Sequence, residues 1–168
     1  MYRTLAILIL LAASSVAAIS QTTTCENLDD ADSVRLIVFT EVLKPWLRDF
    51  DKSLAAYYTK AYYIRVQDQD PSACLLSQLI ANVKSPKPLK KASESFFSAQ
   101  DGDIVLDRKT KAKGVLFTLL EVKWRGTDEV EVVGGTHMGN MGSDSCKYIL
   151  RKQGGKWQIS GKSECEIS

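Results

Sequence analysis

Histidine occurs once in the 168 residues, at His137, and no two cysteines form a Cys-x-x-Cys pair. A structural zinc site needs four thiolate or imidazole ligands at close spacing, so no metal site is expected. No Gly-x-Ser-x-Gly elbow is present to present a nucleophilic serine. Gly134-Gly135 leads into no Gly-Lys-Ser/Thr signature, so a phosphate-cradling loop is excluded and no cofactor is expected. Excess charge is missing too: the net charge is +2, too small for a field that would gather nucleic acid or acidic lipid. No Asn-x-Ser/Thr acceptor, internal repeat or domain linker is found, and no second apolar run follows the first. With 45% hydrophobic and 25% charged residues, what remains is the composition of one globular domain.

The apolar run that is present lies at the front. Arg3 precedes Leu5, Ile7, Leu8, Ile9, Leu10 and Leu11, and small residues around Val16, Ala17, Ala18 and Ser20 follow. That order reads as an export signal over residues 1–20, too short to span a bilayer, which needs ~20 apolar residues. A single domain over residues 21–168 would then be secreted. Cys25, Cys74, Cys146 and Cys165 make an even count, which in an oxidising compartment reads as two disulfides. Three pairings are formally open. The hairpin around Gly154-Gly155 folds Cys146 toward Cys165, which favours that bridge and leaves Cys25 with Cys74.

The early half reads as helical. Asp32 or Ser33 is a cap candidate, and Val34, Ile37, Val38, Phe39, Val42 and Leu43 keep near the 3.6 period. Pro45 is expected to end or kink that helix. Residues 62–66 read as a first strand, and Asp70-Pro71-Ser72 as the start of a second helix burying Leu75, Leu76, Leu79 and Ile80. Residues 84–91, with Pro86, Pro88 and four lysines, read as a connector. Strands are expected at 104–106, 115–124 and 128–133, and as a pair across 146–160. Helices first and an antiparallel meander last make an α+β domain, with N-terminal helices packed on one face of a curved, mainly antiparallel sheet.

The stretches Tyr63-Ile64-Arg65-Val66, Asp70-Pro71-Ser72, Gly114-Val115-Leu116-Phe117, Val122-Lys123-Trp124 and Val130-Glu131-Val132 carry a family resemblance. Tyr148-Ile149-Leu150 and Gly155-Lys156-Trp157-Gln158-Ile159 complete it. From about Tyr62 onward the chain resembles the NTF2-like, or cystatin-like, superfamily. The resemblance implies a cone-shaped sheet wrapped around helices, with a concave pocket that different members use for isomerisation, hydrolysis, dehydration or plain binding. Pro45 and the cysteines depart from that pattern. Val132-Val133-Gly134-Gly135-Thr136 also looks like the protease-wedging hairpin of cystatin inhibitors, but the order of elements is wrong for it.

Residues 134–144 hold four glycines, two methionines and the histidine, and are expected to form an adaptable loop at the mouth of the cone. His137 titrates near neutrality and is an acid–base candidate, with Asp144 or Asp128 to orient it. Glu121 and Tyr63 are the other catalytic candidates, as an acid and a hydroxyl that could face a cone interior. Against each stands a plainer role: solvated loop, surface acid, core tyrosine with a satisfied hydroxyl. Paired cysteines leave no thiol for nucleophilic catalysis. The candidate ligand-contacting set is Tyr58, Tyr62, Trp124, His137, Met138 and Met141, although the tryptophans read equally as core residues. The lysines at 84, 87, 90 and 91 read as a solvated surface, so no nucleic-acid partner is expected, and with no second apolar run of membrane length no membrane span is expected. The expectation is a secreted, non-catalytic binding domain whose pocket between sheet and helices takes a small apolar ligand or a segment of an extracellular partner. The alternatives are an acid–base enzyme of isomerase or hydrolase type, then a protease inhibitor. Oligomeric state leaves no trace in the sequence.

Overall fold

A computed structural model of the chain describes residues 25, 27–49, 59–139 and 142–167. The expected export signal over residues 1–20 lies outside the described residues.

Helix α1 covers Asp30–Asp49. It begins before the expected cap, because Asp29 Oδ1 accepts the Asp32 backbone N–H at 2.7 Å and caps the first turn. It also runs through Pro45 rather than ending at Lys44. Trp46 and Leu47, beyond the proline, still pack against the core, and Trp46 meets the Phe117 ring edge-on at 5.6 Å. That burial offsets the hydrogen bond proline cannot donate. Val34, Val38, Phe39, Val42 and Leu43 form the buried stripe.

Strand β1 (Ala61–Val66) leads to helix α2 (Ala73–Val83) and then strand β2 (Leu89–Lys91). The α2 cap is Ser72, whose Oγ accepts from Leu75 N at 3.0 Å and donates to Asp32 Oδ2 at 2.6 Å. One hydroxyl therefore fixes the start of α2 against α1. Leu75 and Leu79 are buried, whereas Ile80 is half exposed, so the apolar stripe is narrower than expected. The expected connector at 84–91 ends in a strand: β2 pairs in parallel with β1, with Tyr62 opposite Leu89 and Ile64 opposite Lys91.

Strands β3 (Ser95–Ser98) and β4 (Ile104–Asp107) form an antiparallel pair, and β5 (Lys113–Trp124) follows. After it come β6 (Glu129–His137), β7 (Ser143–Gln153), β8 (Lys156–Lys162) and the two-residue β9 (Glu166–Ile167). The main order is β2-β1-β5-β6-β7-β8. Strands β2, β1 and β5 run parallel, while β5 to β8 form the expected antiparallel meander. The fold is α+β, with a large mixed, mainly antiparallel sheet. Both disulfides pair as favoured, Cys25 with Cys74 and Cys146 with Cys165.

Alternation along the strands sorts two faces. The helix side carries Tyr62, Ile64, Val66, Val115, Phe117, Leu119, Val130, Val132, Tyr148 and Leu150, which join the α1 and α2 stripes in one core. The other side carries a smaller cluster of Ala61, Tyr63, Val105 and Leu116. Gly114 is opposite Ala61 on one edge of β5 and opposite Val105 on the other. Strand β4 thus takes the edge that β6 takes from Leu116 onward, and the β3–β4 hairpin covers the face away from the helices. Coverage on both faces explains why Ala61, Tyr62, Tyr63 and Ile64 are buried in succession.

Glycines 134 and 135 are strand residues, not parts of a loop. A Cβ on Gly135 would lie 1.9 Å from the Asp144 carbonyl oxygen, and one on Gly134 would lie 3.0 Å from Leu119. They permit close approach of β7 and of the core, so β6 runs unbroken to His137.

Candidate functional site

The hairpin over the outer face is held by a buried polar network. Tyr63, on the face away from the helices, donates its hydroxyl to Asp107 Oδ2 at 2.8 Å. Lys90 Nζ lies 2.7 Å from the same oxygen. Asp107 Oδ1 accepts the backbone N–H groups of Lys109 and Thr110, both at 2.9 Å. The four donors come from β1, β2 and the turn that follows β4, so one carboxylate joins three parts of the chain. The Lys90 hydrogen bond, then those of Thr110 and Tyr63, hold the Asp107 carboxyl well below the usual carboxylate range. Burial, reinforced by Asp107, pushes the Tyr63 phenol well above its ordinary value. The Asp107 hydrogen bond raises the Lys90 ammonium in turn. The Tyr63 ring lies over Gly114, where a Cβ would sit 2.4 Å from the ring. Glycine at that position is what lets the ring lie down on β5.

Beside this network a cleft of about 670 Å³ opens between the sheet and β3. Arg65 and Leu116 form its floor, Ser95, Phe96 and Phe97 one wall, and residues 68–70, Ser93 and Arg108 its rim. Phe97 is 46% exposed. Its ring meets the His137 ring edge-on at 5.2 Å, so the histidine stands at the Phe97 side of the hairpin. Arg65 Nε donates to Thr118 Oγ1 at 3.3 Å and Arg108 Nε to the Ser93 carbonyl at 2.7 Å. Asp70 accepts from Ser93 through both oxygens, at 2.8 Å from the N–H and 2.6 Å from the hydroxyl. Among the described residues, Arg35, Arg125 and Arg151 each hold a carboxylate in an ion pair. Arg65 and Arg108, which share the cleft, are in none of the ion pairs among the described residues.

The residues expected from sequence are not brought together. Tyr58 and Met141 lie outside the described residues. Tyr62 is fully buried on the helix side, stacked edge-on at 5.3 Å against Phe117. Met138 packs against that same core. Trp124 pairs with Val130 at the far end of β5, edge-on to Trp157 at 5.6 Å. His137 pairs with Leu116, eight residues away along that ladder, roughly 25 Å at strand rise. Glu121 is exposed on β5 at the register shift after Leu119, so it does not face the core. His137 Nε2 is 3.2 Å from the Asp103 carbonyl oxygen; Asp144 instead accepts from Thr136 N and Oγ1. Of the two expected orienting carboxylates, Asp144 is therefore committed elsewhere, and Asp128 precedes Glu129 at the opposite end of β6 from His137. Tyr63 is the one candidate found in a polar cluster, and there it acts as a donor to a saturated carboxylate.

Sequence reasoning missed Asp107, Lys90, Arg65, Arg108 and Phe97. For Arg65 a signal existed: it shares the odd-numbered face with Tyr63 in a strand otherwise apolar on both faces. For Phe97 and Arg108 none existed, because only the folding of β3–β4 across the sheet brings them to Arg65.

Among the described residues no group of three or more His, Cys, Asp or Glu side chains could hold a metal ion. No helix of the described residues is long and apolar enough to cross a membrane. Compared with known proteins, the chain matches no family model, no curated protein and no solved structure.

Proposed function

We propose that the chain is an extracellular binding domain whose ligand sits in the cleft between β3 and the floor formed by β1 and β5. The observation that carries this reading is the combination of an open cleft of about 670 Å³ with a wall locked to the sheet by the Tyr63–Asp107–Lys90 network. A recess of that size suits a drug-sized ligand, and a rigid wall lowers the entropy lost on binding. The two disulfides support an oxidising destination and so agree with the expected export signal. The proposed NTF2-like membership draws support from the described helices on one face of the sheet and a closing hairpin with Gly155 and Trp157. This cleft, however, lies on the face away from those helices, not between sheet and helices as the resemblance implied.

Acid–base catalysis is the weaker reading. A general base needs a lone pair with a suitable pKa and access to substrate. Asp107 has four donors and a depressed pKa, and Tyr63 has a raised one, so both are poor proton acceptors near neutrality. The test is backbone-amide NMR of the mature chain during titration with octanol and indole. Shifts concentrated on Arg65, Phe97 and Leu116 are expected. Shifts confined to other surfaces, or none at millimolar probe, would remove this reading.

A further inference from the structure

We infer that the cleft selects a small amphiphilic anion, a carboxylate or sulfate carried on an apolar body, with Arg65 and Arg108 as the head-group donors. This deepens the proposed function and rests on it. Three of the five arginines with described side chains are neutralised by a carboxylate, and the two that are not line one recess. Each of these two is held through Nε, to Thr118 Oγ1 and to the Ser93 carbonyl. Fixing Nε orients the guanidinium and leaves its terminal N–H groups as donors, the fork that matches a carboxylate or sulfate.

The acids on the rim do not do the ligand's work. Both oxygens of Asp70 already accept from Ser93. Asp68 is exposed to solvent. Formal charges around the recess therefore cancel, and selectivity rests on which groups still have hydrogen bonds to make. Two guanidinium forks oriented through Nε serve an anion, whereas an amine meets only the solvated Asp68 and the lone pairs that Asp70 keeps beyond its bonds to Ser93. The apolar part of the ligand lies against Phe97, a large ring left 46% exposed, and against Leu116 on the floor. A volume near 670 Å³ takes a chain or ring system of modest size, not a folded partner.

The experiment compares octanoate, octanol and octylamine, equal in chain length and used below micelle formation, by calorimetry on the mature, disulfide-bonded chain. Octanoate is expected to bind at least about tenfold tighter than octanol, and octylamine weakest. The octanoate affinity should fall as NaCl rises. In the double variant Arg65→Gln/Arg108→Gln the ratio of octanoate to octanol affinity should fall to about one, whatever the variant does to octanol affinity itself. Arg108→Gln alone, at an exposed position, should remove part of the octanoate advantage, which guards against loss of fold through Arg65. Equal affinities for the three probes, or preference for octylamine, overturn the inference and leave the binding cleft standing. Failure of all three to bind overturns both. Binding of an acidic octapeptide without octanoate binding overturns the inference in favour of a protein partner.

Discussion

Replacing Tyr63 with phenylalanine isolates one hydrogen bond. The ring can keep its place over Gly114, and only the hydroxyl that donates to Asp107 at 2.8 Å is lost. A hydrogen bond to a charged acceptor contributes about 1.5–3 kcal/mol. Here the acceptor keeps Lys90 and two backbone N–H groups, so no buried charge is stranded. The expected loss is accordingly at the lower end, about 1–2 kcal/mol. For a chain of 168 residues that lowers Tm by roughly 3–6 °C. Asp107→Asn removes the charge that all four donors share and should lower Tm by more than Tyr63→Phe does. Thermal unfolding followed by near-ultraviolet circular dichroism reads both, and amide exchange should show β3 and β4 opening before the helix-side core. A Tm unchanged within about a degree for Tyr63→Phe, or a larger loss for it than for Asp107→Asn, would refute the claim that this network fastens the hairpin.

The same groups set the pH profile. Asp107 titrates lower when folded, so its contribution is present above about pH 4 and is lost as pH falls below that. Tyr63 and Lys90 titrate higher when folded, so their contribution is present below about pH 10 and is lost as pH rises above it. Denaturant midpoints measured across pH should show both limbs in the wild type, with the acid limb reduced in Asp107→Asn. Gly114→Ala drives a methyl into the Tyr63 ring, 2.4 Å from the nearest carbon, and should destabilise by about 1–3 kcal/mol in the same assay. In a Tyr63→Ala background that penalty should shrink, since the obstructing ring is gone. Loop-closure entropy over 49 and 19 residues predicts losses of about 4 and about 3 kcal/mol for removing Cys25–Cys74 and Cys146–Cys165 respectively, read from urea midpoints.

How much of this was legible beforehand follows from the range of each interaction. The α1 and α2 stripes, the β1 run and the Gly154-Gly155 hairpin are written in periods of a few residues. Both glycines of that turn take positive φ, +56° and +77°, as a two-residue hairpin demands. Pairing of the cysteines followed from the hairpin. Errors came where a distant partner outvoted local preference. Proline at 45 reads as the end or a kink of the helix, yet the helix continues through it, and Trp46 packs on Phe117, a residue far away in sequence. Gly134 and Gly135 read as loop, yet the space they leave is filled by Leu119 and by the Asp144 backbone. Lys84 to Lys91 reads as a connector until β1 offers its open edge to Leu89 and Lys90.

The candidate cleft belongs almost wholly to that second kind. Arg65, Phe97 and Arg108 carry no common spacing, and Asp107 looks like one more acid in a charged turn. What the linear chain determined alone was the material: an apolar run over the first residues, then four cysteines, two amphipathic stretches of helical period and a run of strands near the end. Those are properties of neighbours, and neighbours are visible in order. Which face of the sheet the β3–β4 hairpin covers, and therefore which arginines meet one aromatic ring, was decided by contacts such as Tyr63 to Asp107, forty-four residues apart. No local rule carries information over that distance, because such a contact exists only after the chain has closed on itself.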